Sequence, residues 1–198
     1  MKNILQSMAL ASVILLSACA QPSVPKDHYY RLQVETPERV KGDTLFSGTI
    51  EIERFVADGL TASRPIVYSD VGNDHQLLEY HYHFWTQPPV VMLRDQLIDY
   101  LRAENVADMV VSPEMRTSPE YRLTAKIKRL EKVVGENPSA IVELELGLQN
   151  EKSAKIVHLA NYRVEVGANS HTVSDAVIAM NKALTQIYSR FVASLRKM

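Results

Sequence analysis

Three consecutive stretches in the second half of this chain alternate apolar and polar residues with a period of two, and one long helical seam follows them. In Tyr121–Arg129, the residues Tyr121, Leu123, Ala125 and Ile127 oppose Arg122, Thr124, Lys126 and Lys128. Val142, Leu144, Leu146 and Leu148 alternate against Glu143, Glu145 and Gln149, and His158, Ala160, Tyr162, Val164 and Val166 make a third stripe. Successive side chains of a strand point to opposite faces, so each stretch predicts a strand with one buried face. The chain then closes on Thr172–Leu195, where Val173, Val177, Met180, Leu184, Ile187, Phe191 and Leu195 recur at steps of three and four. That spacing predicts one helix with an apolar seam about 35 Å long at roughly 1.5 Å per residue. Thr172-x-x-Asp175 is a variant of the capping box that opens such helices. A seam of this length must lie along something. The inner face of the sheet is the obvious partner; the alternative is a coiled coil with another chain, against which stand the few heptads and sparse flanking charges.

The first half reads as shorter strands around a second helix. Asp27–Glu35, Gly48–Phe55 and Arg64–Ser69 are β-rich, and Val71-Gly72-Asn73-Asp74 marks a turn. In Leu77–Trp85, the residues Leu78, Tyr80, Tyr82 and Phe84 share one face while Glu79, His81, His83 and Trp85 share the other. Together these segments predict a first meander. Pro88-Pro89 then opens a helix, as prolines do in a first turn. Val90, Leu93, Leu97 and Leu101 form its apolar face and it stops near Glu104. Met109–Ser112 predicts one more strand. The expected architecture is α+β: a largely antiparallel sheet in two meanders, with two helices packed on one face.

The N-terminus reads differently. Lys2 precedes a mainly apolar run, Met8–Leu16, too short for the roughly 20 residues that span a bilayer. It ends in Leu16-Ser17-Ala18-Cys19, an aliphatic residue, two small ones and the single cysteine of the chain. This resembles the bacterial lipobox, whose cysteine is acylated and becomes the mature N-terminus. A lone cysteine forms no internal disulfide, and a free thiol is a liability in an oxidising compartment. The chain is therefore read as a signal peptide (1–18), a lipidated Cys19 with a polar tether (19–27) and one domain (28–198). Ala20 follows the cysteine where an inner-membrane retention aspartate would stand, which favours the periplasmic face of the outer membrane.

Composition narrows the function classes. Net charge is −1 and no long basic run exists, so the electrostatic footprint of a nucleic-acid binder is missing. His81 and His83 stand at a spacing zinc can use, without an evident third ligand. No nucleophile elbow and no phosphate-cradling glycine loop is present, and Glu143 and Glu145 lie on the polar face of a strand. The residues thus predict no metal, no cofactor and no enzyme.

Arg64-Pro65-Ile66-Val67-Tyr68 and Glu79–Trp85 followed by Pro88-Pro89 carry a further signal, joined by Tyr121–Glu131 and Ser174–Leu184. In this order behind a lipobox they resemble the ABC-type transport auxiliary lipoproteins, the PqiC-like group. One departure is Phe84, where a polar or basic residue is more usual. The resemblance implies a non-catalytic outer-membrane component of a system moving lipids or other hydrophobic molecules across the envelope. It implies a periplasmic MCE-domain protein and an inner-membrane ABC transporter or permease as partners, and a homo-oligomeric ring. Two rival readings are a lipid carrier holding an acyl chain between sheet and helices, and an envelope-maintenance enzyme subunit. The turn Trp85, Pro88 and Pro89 is the candidate docking rim, with an indole that either faces a partner or folds over and closes the core.

Overall fold

The structure, a computed structural model, describes residues 25–198; the signal segment, Cys19 and most of the tether lie outside the described residues. Strands β7 (Tyr121–Val134), β8 (Ser139–Asn150) and β9 (Lys155–Gly167) form the expected antiparallel meander. Its inner stripe is apolar, with Leu123, Ile127, Val142, Leu144, Leu146 and Leu148 buried. The helix α2 (Val173–Leu195) lies along that stripe, and the Thr172 hydroxyl accepts the Asp175 N–H at 3.2 Å, which caps its first turn. Every residue of the predicted seam is buried in this chain's own core. No coiled-coil partner is needed to cover it.

The other helix, α1 (Pro89–Ala103), opens at the Pro88-Pro89 pair as predicted, with Pro88 at its N-cap, and packs beside α2. Tyr188 ties the two together: its hydroxyl donates to the Leu93 carbonyl at 3.0 Å and its ring meets Tyr100 edge-on. Among the described residues no helix is long and apolar enough to cross a membrane.

The first half corrects the expectation of a second antiparallel meander. Strands β2 (Phe46–Ile52), β3 (Val56–Ala57) and β4 (Pro65–Asp70) line up in succession on the open edge of β7, and all three run parallel to it. Strand β6 (Ala107–Val111) adds to β2, again in parallel. Only β4 and β5 (Asn73–Trp85) form a hairpin, turned at Val71-Gly72 with Gly72 at φ +89°. Beyond β5, strand β1 (His28–Tyr30) pairs in parallel at the sheet edge. The sheet is therefore mixed: an antiparallel meander whose free edge divides into a β2–β6 arm and a β4–β5–β1 arm. Alternation specifies which face a residue occupies; it does not specify the neighbour or its direction.

The predicted first strand also ends early. After Tyr30 the chain leaves the sheet and crosses the helix layer, where the Gln33 N–H donates to Asn181 Oδ1 at 2.9 Å and the Val34 N–H to Gln96 Oε1 at 2.7 Å. Amide side chains of α2 and α1 thus replace a ladder partner, and Leu32 and Val34 are buried there.

Candidate functional site

The arm β1–β5–β4 gathers the distinctive residues of the sequence. The two halves of the Arg-Pro and tyrosine-tryptophan pattern meet directly. The Trp85 N–H donates to the Arg64 carbonyl at 2.7 Å, and Arg64 Nε donates back to the Trp85 carbonyl at 3.0 Å. Pro65 lies opposite Phe84, and Phe84 opposite Tyr29.

The pairing of β4 with β5 is irregular between Pro65 and Val67, where five residues of β5 span two of β4. An odd excess of residues reverses the facing pattern. Leu78 and Tyr80 therefore turn toward the inner face with Tyr68, and so do His83 and Trp85 beyond the irregularity. Phe84 turns outward beside Tyr29. This corrects the face assigned to Trp85, which is 1% exposed and belongs to the core. Pro89 is buried with it and Pro88 is half-buried. Of the two roles open to the indole, the structure selects closure of the core.

What remains outside is an aromatic rim. Tyr29 is 57% exposed and Tyr82 40%, with Phe84 half-buried between Tyr29 and Pro65. The Arg64 guanidinium sits 5.7 Å from the Tyr29 ring centroid, a cation–π distance. Asp27, Tyr29, Arg64, Pro65 and Phe84 line a shallow groove of about 220 Å³ where the chain enters the domain.

The inner side of the same arm holds a polar cluster. Strand β7 carries a bulge between Ile127 and Arg129, which brings Lys132 to the inner face although it is only 3% exposed. Its ammonium donates to the Tyr80 hydroxyl at 3.1 Å and to the His171 carbonyl, and burial lowers its pKa. Tyr30 bonds His83 Nδ1 at 2.8 Å and His28 stacks on His83 at 5.0 Å. Sequence reading placed His81 and His83 together as a zinc-spaced pair. The structure instead joins His83 to His28 and Tyr30 and leaves His81 exposed. Among the described residues no three histidine, cysteine or carboxylate side chains converge on a metal-sized point.

A family model described as "ABC-type transport auxiliary lipoprotein component" matches residues 30–192, from the last residue of β1 to the final turn of α2. This chain belongs to that family. The match bears out the expected lipoprotein class and a place beside an ABC-type transport system. A crystal structure of a Xanthomonas campestris protein shares the fold at TM-score 0.71 and 20% identity, covering 83% of this chain and 92% of that one. A second solved protein, described as uncharacterized, aligns at TM-score 0.70 and 14% identity over 86% of this chain and 99% of the other. The PelC dodecamer from Paraburkholderia phytofirmans is more distant, at TM-score 0.45 and 14% identity over 77% and 92% of the two chains. A search of the curated proteins found no match.

In this auxiliary lipoprotein one serine–histidine contact invites a catalytic reading. Ser194 Oγ lies 3.2 Å from His158 Nε2 and 2.9 Å from the Tyr162 hydroxyl. The Ser194 hydroxyl donates to the Phe191 carbonyl at 2.6 Å, which directs its proton to the helix backbone. A base that does not receive the serine proton activates nothing. The triangle fastens the end of α2 to β9.

The inner cluster makes stability depend on pH. Burial first, then the fields of His28 and Lys132, hold His83 below the ordinary histidine value of 6.5, and burial lowers His158 as well. A base with a depressed folded pKa binds its proton more readily in the unfolded chain. Its contribution is complete above about pH 7 and is lost as pH falls through 6.5 toward the folded value. The melting temperature is expected to fall as the pH drops below about 7, and His83→Gln with His158→Gln to flatten that fall. An unchanged slope in the double variant would assign the effect to other groups.

Proposed function

We propose that this auxiliary lipoprotein is a non-catalytic docking subunit, held by acylated Cys19 on the periplasmic face of the outer membrane. There it receives an MCE-domain periplasmic protein that leads to an inner-membrane ABC transporter or permease. One observation favours docking over carriage of a lipid. The space between sheet and helices is filled by Phe55, Trp85, Leu93, Leu97, Tyr188 and Phe191, all essentially inaccessible. An acyl chain held there would have to displace close-packed side chains. A groove of about 560 Å³ between the end of α1 and β6, with Arg39, Arg102 and Asp108 on its walls, is open to solvent rather than enclosed between sheet and helices.

The test is affinity purification of the acylated protein from membranes, followed by identification of bound protein and lipid. Docking predicts an MCE-domain protein in stoichiometric yield and only anchor-derived acyl chains. A phospholipid retained by the isolated domain, with no such partner, would instead establish the carrier.

The anchor has its own test. Cys19→Ser is expected to abolish acylation and leave an uncut precursor or a form lost from the outer-membrane fraction. Normal processing and outer-membrane partition of that variant would refute the anchor.

A further inference from the structure

We propose that the outer rim of the β1–β5 edge, Tyr29, Tyr82, Phe84 and Arg64, rests on the phospholipid headgroup layer into which the anchor inserts; this deepens the reading of Cys19 as acylated. The length of chain outside the domain sets the geometry. His28, the first residue of β1, stands nine positions after Cys19. At roughly 3.3–3.6 Å per residue, even a fully extended tether keeps this edge within about 32 Å of the acylated residue.

Chemistry selects the occupant. Tyr29 and Tyr82 pair an apolar ring with a hydroxyl, the combination that settles at a membrane–water interface. Phe84 and Pro65 add apolar surface between them. Arg64 is exposed, and its Nε bond to the Trp85 carbonyl fixes the guanidinium above Tyr29. A guanidinium held in that way pairs with phosphate oxygens at little further cost in side-chain entropy. Asp27 lies in the same groove but is engaged by the Tyr29 hydroxyl at 3.3 Å. The tether thus leaves the domain beside a surface suited to the layer it enters.

The single cysteine of the sequence makes the test direct, since once Cys19 is acylated a cysteine introduced elsewhere is the only free thiol. Full-length acylated protein carrying Tyr82→Cys, labelled with an environment-sensitive fluorophore, is bound to phosphatidylethanolamine–phosphatidylglycerol vesicles containing headgroup-level nitroxide lipid. Ile178→Cys on exposed α2 serves as the control. The label at residue 82 should be quenched at least threefold more than the control, and Arg64→Gln should roughly halve the difference. Equal quenching at both positions on vesicle-bound protein would overturn the proposal. So would a label shielded from water but not quenched, which would assign the rim to a second copy or a protein partner. Protein that does not co-sediment with vesicles at all would refute the anchor itself.

Discussion

Trp85→Ala is expected to lower stability by about 3–5 kcal/mol, the range for truncating a large aromatic in a packed core. For a domain of this size that corresponds to a melting temperature lower by on the order of 10 °C. The cause is position. The indole fills the inner face where β5 meets β1, opposite Tyr30, and the backbone on either side is fixed by the reciprocal bonds with Arg64. Removing the ring leaves a cavity that these bonds prevent from closing. Trp85→Phe should lose less, because part of the volume is restored. Calorimetry of both variants gives the ordering, and binding of the folded fraction to the MCE-domain partner should persist. A variant that keeps its melting temperature but loses that partner would return Trp85 to the docking surface.

Leu184→Ala is expected to cost about 2–5 kcal/mol. Leu184 and its neighbour on the seam, Ile187, are fully buried beneath the β7–β9 meander. The site is bounded by a long helix pinned at both ends, by the Thr172 cap and by the Ser194–His158–Tyr162 triangle. Such a helix slides little to fill a void, which places the expected loss toward the upper half of the range. Urea denaturation should show a lower midpoint with an unchanged slope. A loss under about 0.5 kcal/mol in a monomeric preparation would place the seam on an interface instead.

Much of the site's frame was legible beforehand, but not its presentation. Arg64, Pro65 and the tyrosine-rich strand stood out as a pattern, and the Pro88-Pro89 pair was expected to open α1, as it does. The partnership of His83 with His28 and Tyr30 was not legible, because a parallel edge pair joins residues 55 positions apart without any local sign. Lys128 is the extra residue of a bulge that turns Lys132 inward, and an alternating pattern carries no mark of where one residue is inserted.

The sequence by itself determined the elements whose causes are local. The stripes of β7, β8 and β9, the prolines that open α1, and the seam and threonine cap of α2 each act within a few residues of chain, where period and capping decide the outcome. Tertiary structure alone decided that β2, β3 and β4 share one edge of β7 in parallel, and that residues 31–35 leave the sheet for amide side chains on the helices. It also decided that Trp85 faces the core while Phe84 faces out. The physical reason is common to all three. Alternation fixes a side only along an unbroken ladder, and a shift of an odd number of residues, or a partner from a distant segment, inverts or replaces it.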